Sequence, residues 1–223
     1  MTRISFHQKL EHLRERLLQM AGIAEQTLSL ALDAHCRGQL SALDAIRLNE
    51  AIINRSEREI DQMATDLLAM EQPMAVDLRF VLAAIKINSD LERVGDQAMT
   101  IALLAKELAD SQPCDFPVDI PYMAELSMTM VRKALQALAD RDVALATSVL
   151  KMDDAVDEMN RRAKAVLLDC IARDSTAAKS AVNLLFISRS LERIADHATN
   201  MAEDVIFWLN GADVRHGHAL HIN

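Results

Sequence analysis

Four pairs of acids stand out because each is spaced four residues apart. They are Glu57 and Asp61 in SEREID, Glu92 and Asp96 in DLERVGDQ, Asp153 and Asp157 in DDAVD, and Glu192 and Asp196 in SLERIADH. On a helix that spacing stacks both carboxyls on one face, a turn apart. Two pairs on adjoining helices can converge into a nest of four carboxylates. Such anions repel and raise one another's pKa unless a cation compensates them. All-oxygen donors suit Mg²⁺, Mn²⁺ or iron rather than the sulfur-rich sites of structural zinc. The competing reading is a solvated outer face, because acidic pairs are cheap. Composition alone predicts about five among 33 acids in 223 positions, and seven occur, including Glu11/Glu15 and Asp115/Asp119. Their number decides nothing; their recurrence at matching places in the chain is the stronger observation.

That recurrence is an internal repeat. Leu91, Glu92, Arg93, Asp96, Ala98 and Ala102 return as Leu191, Glu192, Arg193, Asp196, Ala198 and Ala202, 100 positions on. Around them runs a helical periodicity. Leu184, Ile187, Leu191, Ile194, Ala198, Met201 and Val205 form an apolar stripe, with Glu192 and Asp196 roughly opposite. Arg193 can reach Asp196, and Arg189 can reach Glu192, as weak intrahelical ion pairs. The pairs Glu57/Asp61 and Asp153/Asp157 lie on the shoulders of their own stripes.

The elements that must position these residues follow from the punctuation. Gly38 suits the cap of a first helix beginning near Lys9, and a second runs from about Ser41 to Glu71. Pro73 can open a third, since proline is tolerated in a first turn. QPCDFPVDIP, residues 112–121, holds three of the four prolines and reads as a linker. A fourth helix covers about Met123 to Ala139, Asp142 caps a fifth reaching Ala172, and Ser175 caps a sixth ending near Asn210-Gly211. The expectation is all-α: two tandem three-helix bundles related by duplication, at 1–111 and 122–211, with a flexible tail at 212–223.

Composition agrees and excludes other classes. Aromatics make up 3% of the chain, Gly and Pro number five and four, and strand-forming runs are nearly absent. A net charge of −9 with no basic stripe argues against nucleic acid. No stretch reaches the roughly 18 apolar residues of a spanning helix, and the N-terminus lacks the pattern of a secretory signal. Cys36, Cys114 and Cys170, odd in number and widely spaced, suit reduced thiols in a cytoplasm.

Other candidates read more simply as structure. His216, His218 and His221 could bind metal, but an unstructured terminus accounts for them. His197 could add a nitrogen ligand beside Asp196 or be a surface histidine. The twelve methionines suit core filling. Phe207 and Trp208 are read as an aromatic staple rather than an exposed anchor.

QPMAVDLRFVLAAIKINSDLERVGDQA, residues 72–98, and ISRSLERIADHATNMAEDVIFWLNGADVRH, residues 187–216, resemble the PhoU family over essentially the whole chain. The Q-P-x-x-x-D-L-R entry to the third helix, the paired E/D-x-x-x-D motifs and the closing G-x-D-V-R-H carry the resemblance. It implies a cytoplasmic, often dimeric negative regulator of the phosphate-starvation response, without catalysis. Such an adaptor would link the ATPase subunit of a phosphate ABC transporter to a membrane sensor histidine kinase, meeting the membrane only through these partners. The resemblance also implies metal on Glu57, Asp61, Glu92, Asp96, Asp153, Asp157, Glu192 and Asp196, with iron, manganese, magnesium and zinc all open. Ala195 replaces the glycine found at Gly95 and frequent in the family, and would tighten one site relative to the other. The alternative is a carboxylate-bridged metal enzyme or an iron-storage bundle. Those use Glu-x-x-His pairs, and none occurs here.

Overall fold

The computed structural model describes residues 3–111 and 116–214, all helix, turn or coil with no strand among them. The first half comprises α1 (Arg3–Arg37), a 3-10 turn at Leu40–Ala42, α2 (Leu43–Glu71) and α3 (Ala75–Ala109). The second comprises α4 (Ile120–Asp140), α5 (Val143–Leu150), α6 (Asp153–Arg173), a 3-10 turn at Ser175–Ala177 and α7 (Ala178–Asn210). Gly38 and Gly211 end α1 and α7 with φ of 68° and 71°, the left-handed geometry that favours glycine. Asp142 accepts a hydrogen bond from the Leu145 amide at 3.0 Å and caps α5.

Three local expectations need correction. Pro73 does not open the third helix: α2 ends at a left-handed Gln72 (φ 48°), and α3 starts only at Ala75. Proline just past a C-cap stops the chain from continuing the helix it follows. The fifth helix is not continuous to Ala172 but breaks at Lys151–Met152. Lys151 lies at the C-terminal end of α5, and Asp153 and Asp154 in the first turn of α6. Each is the charge a helix dipole favours at that end. Finally, Asp174 rather than Ser175 makes the cap before α7, accepting from the Thr176 amide at 2.9 Å. Cys114 and the histidines at 216, 218 and 221 fall outside the described residues. Cys36 and Cys170 are free.

The two halves share one continuous hydrophobic core. Within each half α2 packs on α1 and α3, and α6 packs on α7. Between halves α1 meets α4, and α3 meets α7 in the most extensive helix–helix contact of the molecule. Ala98 and Ala102 of α3 and their repeats Ala198 and Ala202 of α7 are all completely buried. Small side chains at these places let helix axes approach closely.

Specific contacts fix the antiparallel register of α3 and α7. Arg79 Nε donates to the Trp208 carbonyl at 3.0 Å. Lys86 pairs with the buried Asp204 at 2.8 Å, and the Asn183 amide donates to Glu107 at 3.3 Å. The Phe80 and Trp208 rings lie 4.8 Å apart. Trp208 is 4% exposed, so it is a core aromatic, as the staple reading expects.

Gly95 is explained by α2. A Cβ there would come within 2.9 Å of Ile53 Cδ1, whereas Ala195 fits at its equivalent place, 1% exposed. Overpacking costs about 1–3 kcal/mol, against about 1 kcal/mol of helix propensity gained. Gly95→Ala is therefore expected to destabilise the chain by about 1 kcal/mol in denaturant unfolding. In an Ile53→Val background the same change should become neutral or stabilising; equal effects in both backgrounds would show that Ile53 is not the obstacle.

Candidate functional site

The second half gathers its acids. Packing of α6 on α7 brings one carboxylate oxygen each from Asp153, Asp157 and Asp196 within 4.8 Å of one another. Oxygens bound to one hard cation at 2.0–2.6 Å stand at most about 4–5 Å apart, so the trio fits a single ion. Thr199 Oγ1 donates to Asp153 at 3.1 Å and fixes that carboxyl. The trio does not include Glu192, which lines the adjoining cleft of about 590 Å³ with Asp157, Asn160, Arg161 and Lys164.

Electrostatics mark the same place. Asp196 is pushed up to about 6, first by partial desolvation of its carboxyl, although the residue as a whole is exposed, and then by Glu192, Asp153 and Asp157, with His197 opposing. Asp153 is raised by burial and by Asp157 and Asp154, against the hydrogen bond from Thr199. The expected ion pairs do not form: among the described residues no salt bridge joins Arg193 to Asp196 or Arg189 to Glu192. Among the described residues no ion pair joins Asp153, Asp157 or Asp196, and at Asp196 only His197 opposes the crowding. Together with the hard-oxygen donor set, this fits a divalent cation held by Asp153, Asp157 and Asp196.

The first half is arranged differently. Glu92 is raised by burial, then by Asp96 and Glu57, while Arg93 and His197 oppose. Asp61 is drawn aside: the fully buried Asn88 donates to its Oδ1 and to the Glu57 carbonyl, both at 2.9 Å. Asn88 Oδ1 has no partner of its own, so an oxygen donor remains beside Glu57 and Asp61. The equivalent residue in the second half, Ser188, donates instead to Asn160 at 2.9 Å. Thus Glu57, Asp61, Glu92 and Asp96 lie across adjoining helices but do not close to the separation of the second-half trio.

His197 joins the halves. Its side chain is 16% exposed, and its Nδ1 lies 2.8 Å from Asp90 Oδ1, which also accepts from Asn200 at 3.4 Å. The surface-histidine reading therefore fails, because α3 covers the ring. Asn88, Asp90 and Thr199 escaped the sequence reading, although Asn88 sits one helical turn before Glu92 and Thr199 three residues after Asp196. That spacing was the available signal.

A duplicated helical protein with carboxylate clusters on paired helices, and no helix among its described residues long and apolar enough to cross a membrane, is the class that fold and site define. The PhoU domain model matches twice, over residues 17–105 and 120–205. The chain belongs to the PhoU family. It is 36% identical to the phosphate-specific transport system accessory protein PhoU homolog of Pseudomonas aeruginosa, over 95% of this chain and 88% of that one. The homolog from Clostridium acetobutylicum is 33% identical over 96% of this chain and 98% of its own. The crystal structure of PhoU from Pseudomonas aeruginosa superposes with a TM-score of 0.88 at 35% identity, covering 93% of this chain and all of that one. The phosphate transport system regulatory protein PhoU from Streptococcus pneumoniae gives 0.82 at 26% identity, over 94% and 99%.

The raised pKa of Asp196 carries a sign. A carboxyl whose folded pKa lies above its unfolded value binds extra proton in the native state, so stability falls as pH rises from about 4 through 6. In chelator-treated buffer, Asp196→Asn should gain stability relative to wild type between pH 4 and pH 7.5, by less than about 1 kcal/mol after solvent screening. A pH-independent difference between the two proteins would reject the crowding of this carboxyl.

Proposed function

We propose that this chain is an accessory protein of phosphate transport that acts as a negative regulator of the phosphate-starvation response. It serves as a non-catalytic, cytoplasmic adaptor between the ATPase subunit of a phosphate ABC transporter and a membrane sensor histidine kinase, working as a homodimer and touching the membrane only through these partners. Family membership over both repeats supports the phosphate context. The observation that carries the site is the convergence of Asp153, Asp157 and Asp196 with no ion pair to any of them among the described residues. A divalent cation there would tie α6 to α7 by neutralising carboxylates that otherwise repel.

The first-half acids form a second, weaker cation site. Asn88 occupies one face of Asp61, and its unpaired oxygen offers the added donor. Iron, manganese, magnesium and zinc differ in the geometry they demand, and three carboxylates favour the hard ions of that group.

Two experiments test this. Elemental analysis of the purified chain should find metal in wild type and at least a tenfold lower content at the second-half site in Asp153→Ala/Asp196→Ala. Glu57→Ala/Glu92→Ala should lose only the weaker fraction; equal content in all three proteins would reject the site. Deleting the gene should switch on a phosphate-starvation reporter in phosphate-rich medium, and continued repression there would reject the regulatory role.

A further inference from the structure

The open side of the α3–α7 pair carries an apolar patch at each end. Leu78 and Leu82, one turn apart on α3, are 36% and 37% exposed. At the opposite end Leu103 of α3 and Val182 and Phe186 of α7 are 41%, 39% and 51% exposed. The Asn183–Glu107 hydrogen bond places these three beside the same antiparallel seam, each within about a turn of that contact. Between the patches lie the carboxylates of both halves.

The two ends are related by the repeat. The equivalence runs through Leu82 and Val182, 100 positions apart like the LER cores, whereas Leu78, Leu103 and Phe186 correspond to Ala178, Glu203 and Lys86 and set the two patches apart in detail. The contacts of Arg79 with Trp208, Lys86 with Asp204 and Glu107 with Asn183 centre the crossing near Gly95 and Ala195, which are themselves repeat equivalents. A two-fold axis exchanging two antiparallel helices stands perpendicular to their common plane. It therefore keeps every side chain on its own side of that plane. Both patches thus flank one axis on one face, Leu82 and Val182 each 13 residues from it, or about 20 Å of helix at 1.5 Å per residue.

The centre of this face is anionic. The eight motif carboxylates (−8) stand against Arg93, Arg189 and Arg193, exposed on the same two helices (+3), which leaves −5 before a cation binds and −1 with one divalent cation per half. We infer that the α3–α7 face receives a homodimeric protein whose own two-fold axis coincides with this pseudo-axis, each subunit setting an apolar group on one patch and basic groups near the axis over the carboxylates. One chain then engages one partner dimer. A single chain with internal two-fold symmetry can offer equivalent contacts to both subunits of a dimer, which an asymmetric surface cannot. Apolar anchors supply affinity and the charged centre supplies steering and register. The inference rests on the adaptor reading and deepens it by naming the surface and the symmetry of what docks there.

The test uses the full chain with two probes, the purified ATPase homodimer of the phosphate transporter and the homodimeric cytoplasmic part of the sensor kinase, by titration calorimetry and native mass spectrometry. At least one probe should bind with one chain per homodimer. Leu82→Ser and Phe186→Ser should each raise its Kd about tenfold, whereas Leu168→Ser, at a residue 50% exposed on α6, should not. All three side chains are already open to solvent, and thermal melts confirm that the variants fold. Patch variants that bind like wild type, a response at only one patch, or two chains per homodimer would overturn the proposal and leave the adaptor reading standing. Wild type that binds neither probe overturns both. If the same substitutions abolish the homodimer of this chain, the face belongs to a second copy and the proposal is overturned.

Discussion

The close packing of α3 against α7 is the constraint on which the rest of the molecule depends. The two helices bury small residues on either side of their crossing, Ala98 and Ala102 of α3 towards one end and their repeats Ala198 and Ala202 of α7 towards the other. Close approach multiplies dispersion contacts and removes water, so polar groups at the seam must find partners. They do: Asp204 with Lys86, Asp90 with His197, and the Trp208 carbonyl with Arg79. These pairs lock the register along the whole length of the helices. Every carboxylate of the candidate sites takes its position from that register or from a helix packed directly on it.

The same packing makes the two halves unequal in chemistry while alike in fold. In the second half the chain breaks between α5 and α6, so that Asp153 enters at a helix start and swings against Asp157 and Asp196. In the first half α2 runs unbroken, and a buried asparagine draws Asp61 away from Glu92 and Asp96. Gly95 lets Ile53 of α2 press against α3, while the second half carries a buried alanine, Ala195, at the equivalent place. Duplication supplied two copies of a carboxylate pattern, and substitutions outside that pattern set how tightly each copy closes.

Electrostatic tension connects the fold to the proposed role. Crowded carboxylates repel, and a cation bound there would relieve that repulsion and favour the docking of α6 on α7. His197, held by Asp90 across the seam, lies close enough to influence both Glu92 and Asp196. One side chain thus borders the carboxylates of both halves.

Helical class, the repeat and the helix-ending role of Gly38 and Gly211 were legible in the sequence, because apolar period and capping chemistry are local. The stripe from Ile187 to Val205 could be read directly and is buried throughout. Other things depended on neighbours remote in the chain. No local rule distinguishes Asp61, pinned by Asn88, from Asp157, which joins a trio. None turns Arg193 away from Asp196, three residues on, and none places His197 against Asp90, 107 residues away. Residue type and spacing determined which groups were available and which helical face they occupy. Only the packing of one helix on another decided which of them meet, because carboxylate repulsion and burial depend on distances that sequence separation does not specify.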